Sequence, residues 1–246
     1  MKEIDAVIQS IQALDETIMN QTQQHLDSLT KPRGSLSVLE RMACQLAGVQ
    51  REAKPGIPDK AVVLMAADHG VAEEGVSAFP AEVTEQMVYN FVRGGAGINV
   101  LARHAGARLV LVDVGVKSDL SLELPIRHCK IRHGTDNMRR GPAMSREDVL
   151  QAIKIGIGIA RELTDAGVRV ISLGEMGIGN TTASSAMVHV FTGEPVSVVV
   201  GTGTGISADF VQHKIRVIEE SVAINRPDPR DALDVLTKVG GLEIAA

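Results

Sequence analysis

The period of the apolar positions changes near residue 59, and that change divides the chain. Ile4, Val7, Ile8, Ile11 and Leu14 recur at helical spacing on one face. The same periodicity predicts a second helix over residues 16–29. Lys31-Pro32-Arg33-Gly34-Ser35 reads as a turn, since proline and glycine punctuate the chain there. Leu36, Leu39, Met42, Leu46 and Val49 then mark an amphipathic helix, with Ser35 or the Ser37-x-x-Glu40 pair as its cap. Residues 51–59 read as a connector.

Beyond that point short apolar runs alternate with helical patterns. Strands are expected over 60–67, 108–112, 168–173 and 195–200, with a shorter one near 127–132. Helices are expected over 83–91, 97–105, 145–166, 181–191 and 208–224. Ser145 caps the clearest of these, Asp148 takes the capping-box position and Gly167 stops it. Strands that are continuous apolar runs, each followed by a helix, indicate a parallel sheet covered on both faces. The expected fold is α/β: a Rossmann-like parallel sheet flanked by helices, with a small helical subdomain formed by residues 1–58 and the sheet domain by 59–246.

In such sheets ligands bind outside the carboxyl ends of the strands. Four expected strands end in residues with chemistry: Asp68-His69, Asp113, Glu175 and the glycines of 201–205. The richest is Gly174-Glu175-Met176-Gly177-Ile178-Gly179-Asn180-Thr181-Thr182, read as a glycine turn between strand and helix. Backbone N–H groups and hydroxyls at a helix N-terminus suit an anion. Glu175 does not bind phosphate while ionised, so it points to other chemistry beside a phosphorylated substrate. Asn180 and the two threonines also suit simple N-capping.

The net charge of −5 comes without a basic stripe interleaved with aromatics, so nucleic acid is not an expected partner. Cys44 and Cys129 are isolated, which fits a reducing cytoplasm rather than a disulfide framework. No basic segment followed by an apolar core opens the chain, and the longest apolar runs are too short to cross a bilayer, so no membrane partner is expected.

Gly201-x-Gly203 lacks the later strand and acidic residue of a dinucleotide fingerprint, so neither a nicotinamide cofactor nor an oxidoreductase is expected. It reads either as close packing or as part of one mononucleotide site with 174–182. His128, Cys129 and His133 fit no standard zinc spacing, and no metal is expected. Asp68 and His69 read as half of a catalytic pair, as part of a metal site or, best, as organisers of the sheet's carboxyl edge through hydrogen bonds, and Asp68 is also a candidate substrate-binding residue. Lys214 is either a solvated helix residue or a cation near a substrate anion. Phe79 and Met87 are either core or the wall of a pocket for a flat apolar ligand.

Six segments in order carry a resemblance: Lys31-Pro-x-Gly-Ser-Leu, Ala67-Asp-His-Gly-Val71, Glu74-Gly-Val76, Gly141-Pro-Ala-Met-Ser145, Gly174-Glu-x-Gly-x-x-Asn-Thr-Thr182 and Asn225-x-Pro-x-Pro-Arg-Asp231. Together they resemble the nicotinate-nucleotide–dimethylbenzimidazole phosphoribosyltransferase family of cobalamin lower-ligand assembly. The resemblance implies that nicotinate mononucleotide and a benzimidazole-type base are the partners, and that the chain forms a homodimer. It implies a 5′-phosphate site at Gly177, Asn180, Thr181, Thr182 and Gly203, a carboxylate near both substrates at Glu175, and a lysine on the nicotinate side at Lys214. Phe79 and Met87 stand where family members carry a small polar residue and Gln, which implies a more apolar base pocket and tolerance of other bases. The family is also longer, and its main catalytic glutamate lies in a later Gly-Glu-Gly segment. The sequence ends at Ala246 without that segment, so the expectation is a chain missing the family's C-terminal part. Weak or absent turnover is then expected of the isolated chain, with binding of nucleotide or base as the alternative role.

Overall fold

The computed structural model describes residues 2–56, 59–201 and 208–246, in two compact units of residues 1–58 and 59–246. The first unit holds α1 (Lys2–Ser10), α2 (Glu16–Ser28) and α3 (Val38–Gln50). α1 stops before Ile11 and Leu14, which the helical period includes. Asp15 ends the run by capping a new helix, its carboxylate accepting the Ile18 N–H at 3.0 Å. Ile11 is 75% exposed and α1 buries no residue, so no packing holds those two positions helical. α2 and α3 pack closely at Gly48, where a Cβ would stand 2.7 Å from Met19 Cγ. The expected cap of α3 does not form. Glu40 turns instead to Lys31 Nζ (2.8 Å) and the Leu36 N–H (3.1 Å), and Ser37 makes no side-chain capping bond.

The second unit carries a parallel sheet of β1 (Asp59–Ala67), β2 (Ala107–Gly115), β3 (Arg127–His128) and β4 (Val168–Met176), in the order β3-β2-β1-β4. A 3-10 turn (Gly70–Glu74), α4 (Val83–Val92) and α5 (Gly97–Ala105) join β1 to β2. α6 (Arg146–Asp165) leads to β4, and its Ser145–Asp148 capping box forms as read, with bonds of 3.1 and 3.0 Å. After β4 come α7 (Asn180–Thr192), α8 (Val196–Val199), α9 (Ala208–Asn225), α10 (Ala232–Val239) and α11 (Leu242–Ala245).

Residues 195–200 are not the expected strand. They form one helical turn, with the Val198 and Val199 N–H groups both donating to the Pro195 carbonyl. A short valine run carries no period of its own, and proline suits the start of a helix. Among the described residues β4 is therefore the sheet edge. Three of the four expected strand ends meet at one carboxyl edge, and the fourth does not exist as a strand. β4 also runs three residues further than expected, so Gly174–Met176 belong to the strand and the turn begins at Gly177.

The larger core cluster joins Val63, Met65 and Val112 of the sheet to Val149 and Leu163 of α6, Ile218 of α9 and Val235 of α10. The smaller one, on the other face, joins Leu64, Ala66 and Leu111 to Val88 and Phe91 of α4.

Candidate active site

β1 delivers Asp68 and His69, and β4 delivers Glu175, in register with Met65. The chain between β4 and α7 turns twice. The Asn180 N–H donates to the Gly177 carbonyl (3.1 Å) and the Thr182 N–H to that of Gly179 (2.9 Å). The Ile178 N–H donates to Thr84 Oγ1 at 3.1 Å. Gly179 adopts φ +99°, which only glycine holds cheaply, and it is the residue at which α7 starts.

These bonds occupy three of the N–H groups that the sequence offered to an anion. They also remove the capping explanation for Asn180. Gly179 is the cap and makes no side-chain capping bond, while the Asn180 amide donates to Glu175. Thr181 is exposed and Thr182 buried, with the Thr182 hydroxyl unpartnered among the described residues.

Lys214 projects from α9 to the same turn. It is 1% exposed, and its ammonium donates to Thr181 Oγ1 at 2.7 Å. No ion pair among the described residues includes it, and burial pulls its pKa below the ordinary lysine value. The reading of Lys214 as a solvated helix residue is thereby corrected: α9 carries it on its inner face. Its neighbour His213 bonds the Glu74 carbonyl at 2.6 Å.

Asp68 is tied into the sheet's carboxyl edge by hydrogen bonds. Asp68 Oδ2 accepts the Lys117 N–H (2.7 Å), and its backbone ties to Gly115 and Thr135. Burial raises the Asp68 carboxyl, opposed by the bond from the Lys117 N–H. Asp113 closes a turn, accepting the Gly115 and Val116 N–H groups at 3.1 and 2.9 Å.

His69 is 3% exposed and meets a residue that sequence reasoning missed. Its Nε2 lies 2.5 Å from Glu243 Oε1, and Glu243 is itself 4% exposed. Burial disfavours charge on this imidazole, but Glu243, with Asp68 and Glu175, outweighs it and holds the pKa above the ordinary histidine value. The available signal was one carboxylate in the apolar run Leu242–Ala246, just after Gly240-Gly241. Glu175 keeps contact with solvent, yet the protein packed around it and the charge of Glu243 raise its carboxyl, against His69 and the Asn180 amide.

Two adjoining clefts of ≈ 290 and ≈ 560 Å³ open beside the Gly70–Glu74 turn. The smaller is lined by Asp68, His69, Pro80, Glu82, Lys117 and His133. Phe79 is 51% exposed and adjoins Pro80, while Met87 packs with Met176 against the Leu64–Phe91 cluster. Neither lines these two clefts, so the pair do not face each other across either of them. Gly203 lies outside the described residues.

A parallel α/β sheet with hydroxyls, an amide and a buried amine gathered at one carboxyl edge is the class of fold that binds a phosphorylated ligand there. A family profile described as Phosphoribosyltransferase matches residues 11–246. The nicotinate-nucleotide–dimethylbenzimidazole phosphoribosyltransferase of Desulforamulus reducens is 51% identical over 238 residues, covering 96% of this chain and 68% of that protein. The protein of the same name from Geotalea uraniireducens is 50% identical over 246 residues, covering 100% and 70%. The crystal structure of CobT from Thermus thermophilus superposes with a TM-score of 0.87 at 41% identity, over 93% of this chain and 68% of that one. The chain belongs to the nicotinate-nucleotide–dimethylbenzimidazole phosphoribosyltransferase family.

Proposed function

We propose that this chain binds nicotinate mononucleotide at the carboxyl ends of β1 and β4 and passes its ribose 5-phosphate to 5,6-dimethylbenzimidazole or a related base. The products are nicotinate and the α-riboside 5′-phosphate, a step of cobalamin biosynthesis. Lys214 carries the reading. A buried ammonium with one hydroxyl for company, and no carboxylate paired to it among the described residues, is a site built for an anion. Lys214 with Thr181, Thr182 and Gly177, and Gly203 from the neighbouring loop, would hold the phosphorylated nucleotide.

The chemistry suits what stands beside it. The C1′–N bond of the nucleotide breaks with its electron pair returning to the pyridinium nitrogen, which leaves neutral and needs no acid. A benzimidazole nitrogen forms the new bond to C1′ from the opposite face, inverting the anomeric centre. The proton on the other ring nitrogen must then leave. Glu175 accepts it, since a carboxylate of raised pKa is a better base in a partly dry site. The same carboxylate stabilises positive charge developing on the sugar. The base enters by the cleft that holds Asp68, with Phe79 next to its lining residue Pro80, while Met87 lies outside the cleft against the Leu64–Phe91 cluster. The reading includes a homodimer, which sedimentation of the chain would check.

Calorimetry with nicotinate mononucleotide, paired with mass-spectrometric detection of the riboside phosphate, tests the reading. Lys214→Met is expected to weaken nucleotide binding about 10- to 100-fold, the worth of a charged hydrogen bond. Unchanged affinity in that variant, or no nucleotide binding by the native chain, would overturn it.

A further inference from the structure

Glu243 has no part in the chemistry above, yet few carboxylates are so completely buried without a role. One oxygen holds His69 at 2.5 Å, and the other, Oε2, is buried with no hydrogen-bond partner among the described residues. Burying a carboxylate and leaving one oxygen unpaired costs stability. Two glycines are shaped around it. A Cβ on Gly177, two residues beyond Glu175, would stand 3.1 Å from both Glu243 Oε1 and His69 Cδ2. A Cβ on Gly241 would stand 2.9 Å from both Glu243 Oε2 and His69 Nε2. A Cβ on Gly179 would stand 3.3 Å from His69 Cβ. The pair is therefore the floor of the turn that presents Glu175 and the phosphate-binding groups.

We propose that Glu243 is a positioning residue: acting through His69, it seats the Gly177–Thr182 turn that follows Glu175. The proposal rests on the reading of Glu175 as the base. The charged and titratable groups facing His69 are Glu243 from α11, Asp68 from the end of β1 and Glu175 from β4. Those facing Glu175 are Glu243, His69 and the Asn180 amide. Burial and Glu243 raise the proton affinity of Glu175, and His69 and Asn180 lower it. Glu243 thus keeps the base strong, and the 2.5 Å contact with His69 holds Glu243 in place.

The test uses the full chain with glutamate carboxyls labelled with carbon-13 and histidine rings with nitrogen-15. Glu175 and His69 signals are assigned by their loss in Glu175→Gln and His69→Asn. In Glu243→Gln, His69 is expected to titrate at lower pH than in the native chain, and Glu175 to titrate at lower pH as well. In turnover assays the acid limb of kcat/KM moves to lower pH, and kcat falls about tenfold while the KM for nicotinate mononucleotide changes less than about threefold. Glu243→Asp, which restores the charge, recovers part of the loss. If the Glu175 and His69 titrations do not move in Glu243→Gln, the proposal is wrong. A lowered melting temperature with unmoved titrations overturns it equally, because that outcome describes a purely structural role. The titrations are read without substrate, so absence of turnover in the native chain would count against the reading of the reaction and not against this one.

Discussion

β1 and β4 are neighbours in one sheet, and both arrive in the sequence as short apolar runs. Five consecutive residues of β1, Val63 to Ala67, are buried, whereas β4 buries only its first residue, Val168. Leu64 is 2% exposed and Leu173, which pairs with its neighbour Val63, is 83% exposed. Their ends differ the same way. β1 ends in Asp68 and His69, buried and bonded on several sides. β4 ends in Glu175, open to solvent and joined to the Asn180 amide. A sheet centre gives fixed geometry, and a sheet edge gives access. The site needs both, and they lie one strand apart.

The sharpest way to break that comparison is to alter the two carboxylates separately. Glu175→Gln keeps the shape and the Asn180 contact but removes the proposed base. Riboside phosphate formation should fall about 10²- to 10⁴-fold, the range for loss of a general base. Asp68→Asn keeps an oxygen for the Lys117 N–H, and kcat should fall less than about tenfold. Equal losses in the two variants would mean that the open strand end holds no special chemistry.

The next effect is on stability and uses one residue type at both strands. Leu64→Ala opens a cavity under Val88 and Phe91 and should cost about 2–5 kcal/mol. Leu173→Ala removes a side chain already in solvent and should change stability by less than about 0.5 kcal/mol. Denaturant unfolding of the two variants measures both. A large loss at Leu173 would mean that something covers β4 in solution.

The contrast also marks where the sequence was legible. Val168–Leu173 announces a strand because β-branched and aliphatic residues fit an extended chain, and the structure forms one there. Whether a strand is central depends on which segment lies beside it. That turned on residues 195–200, where Pro195 and the valines fit a helical turn as well as a strand. The site divides along the same line. Glu175, Asn180 and Thr181 could be found because they are adjacent in sequence at one strand end. The reach of Lys214 to Thr181 spans 33 residues, and that of Glu243 to His69 spans 174. No local pattern encodes either. Helix period alone left Lys214 with two readings, and only the packing of α9 against α7 chose between them.

The smallest expected effect lies at the closed strand's cleft. Phe79 adjoins Pro80, which lines it, and Phe79 keeps half its surface in solvent. A half-exposed ring contributes about 0.5–1.5 kcal/mol to an aromatic partner, or roughly 2- to 10-fold in binding. Phe79→Ser should therefore weaken bases by that modest factor, and weaken benzimidazoles without ring methyls more than dimethylbenzimidazole. The methylated base keeps more apolar contact with the rest of the cleft and depends less on one ring. Competition between bases in a single reaction, read by the ratio of riboside phosphates, detects differences of this size. If the native chain strictly prefers dimethylbenzimidazole and the ratio is unchanged in Phe79→Ser, then Phe79 does not touch the base. Selectivity would then reside in the fixed groups of the β1 end rather than at the rim.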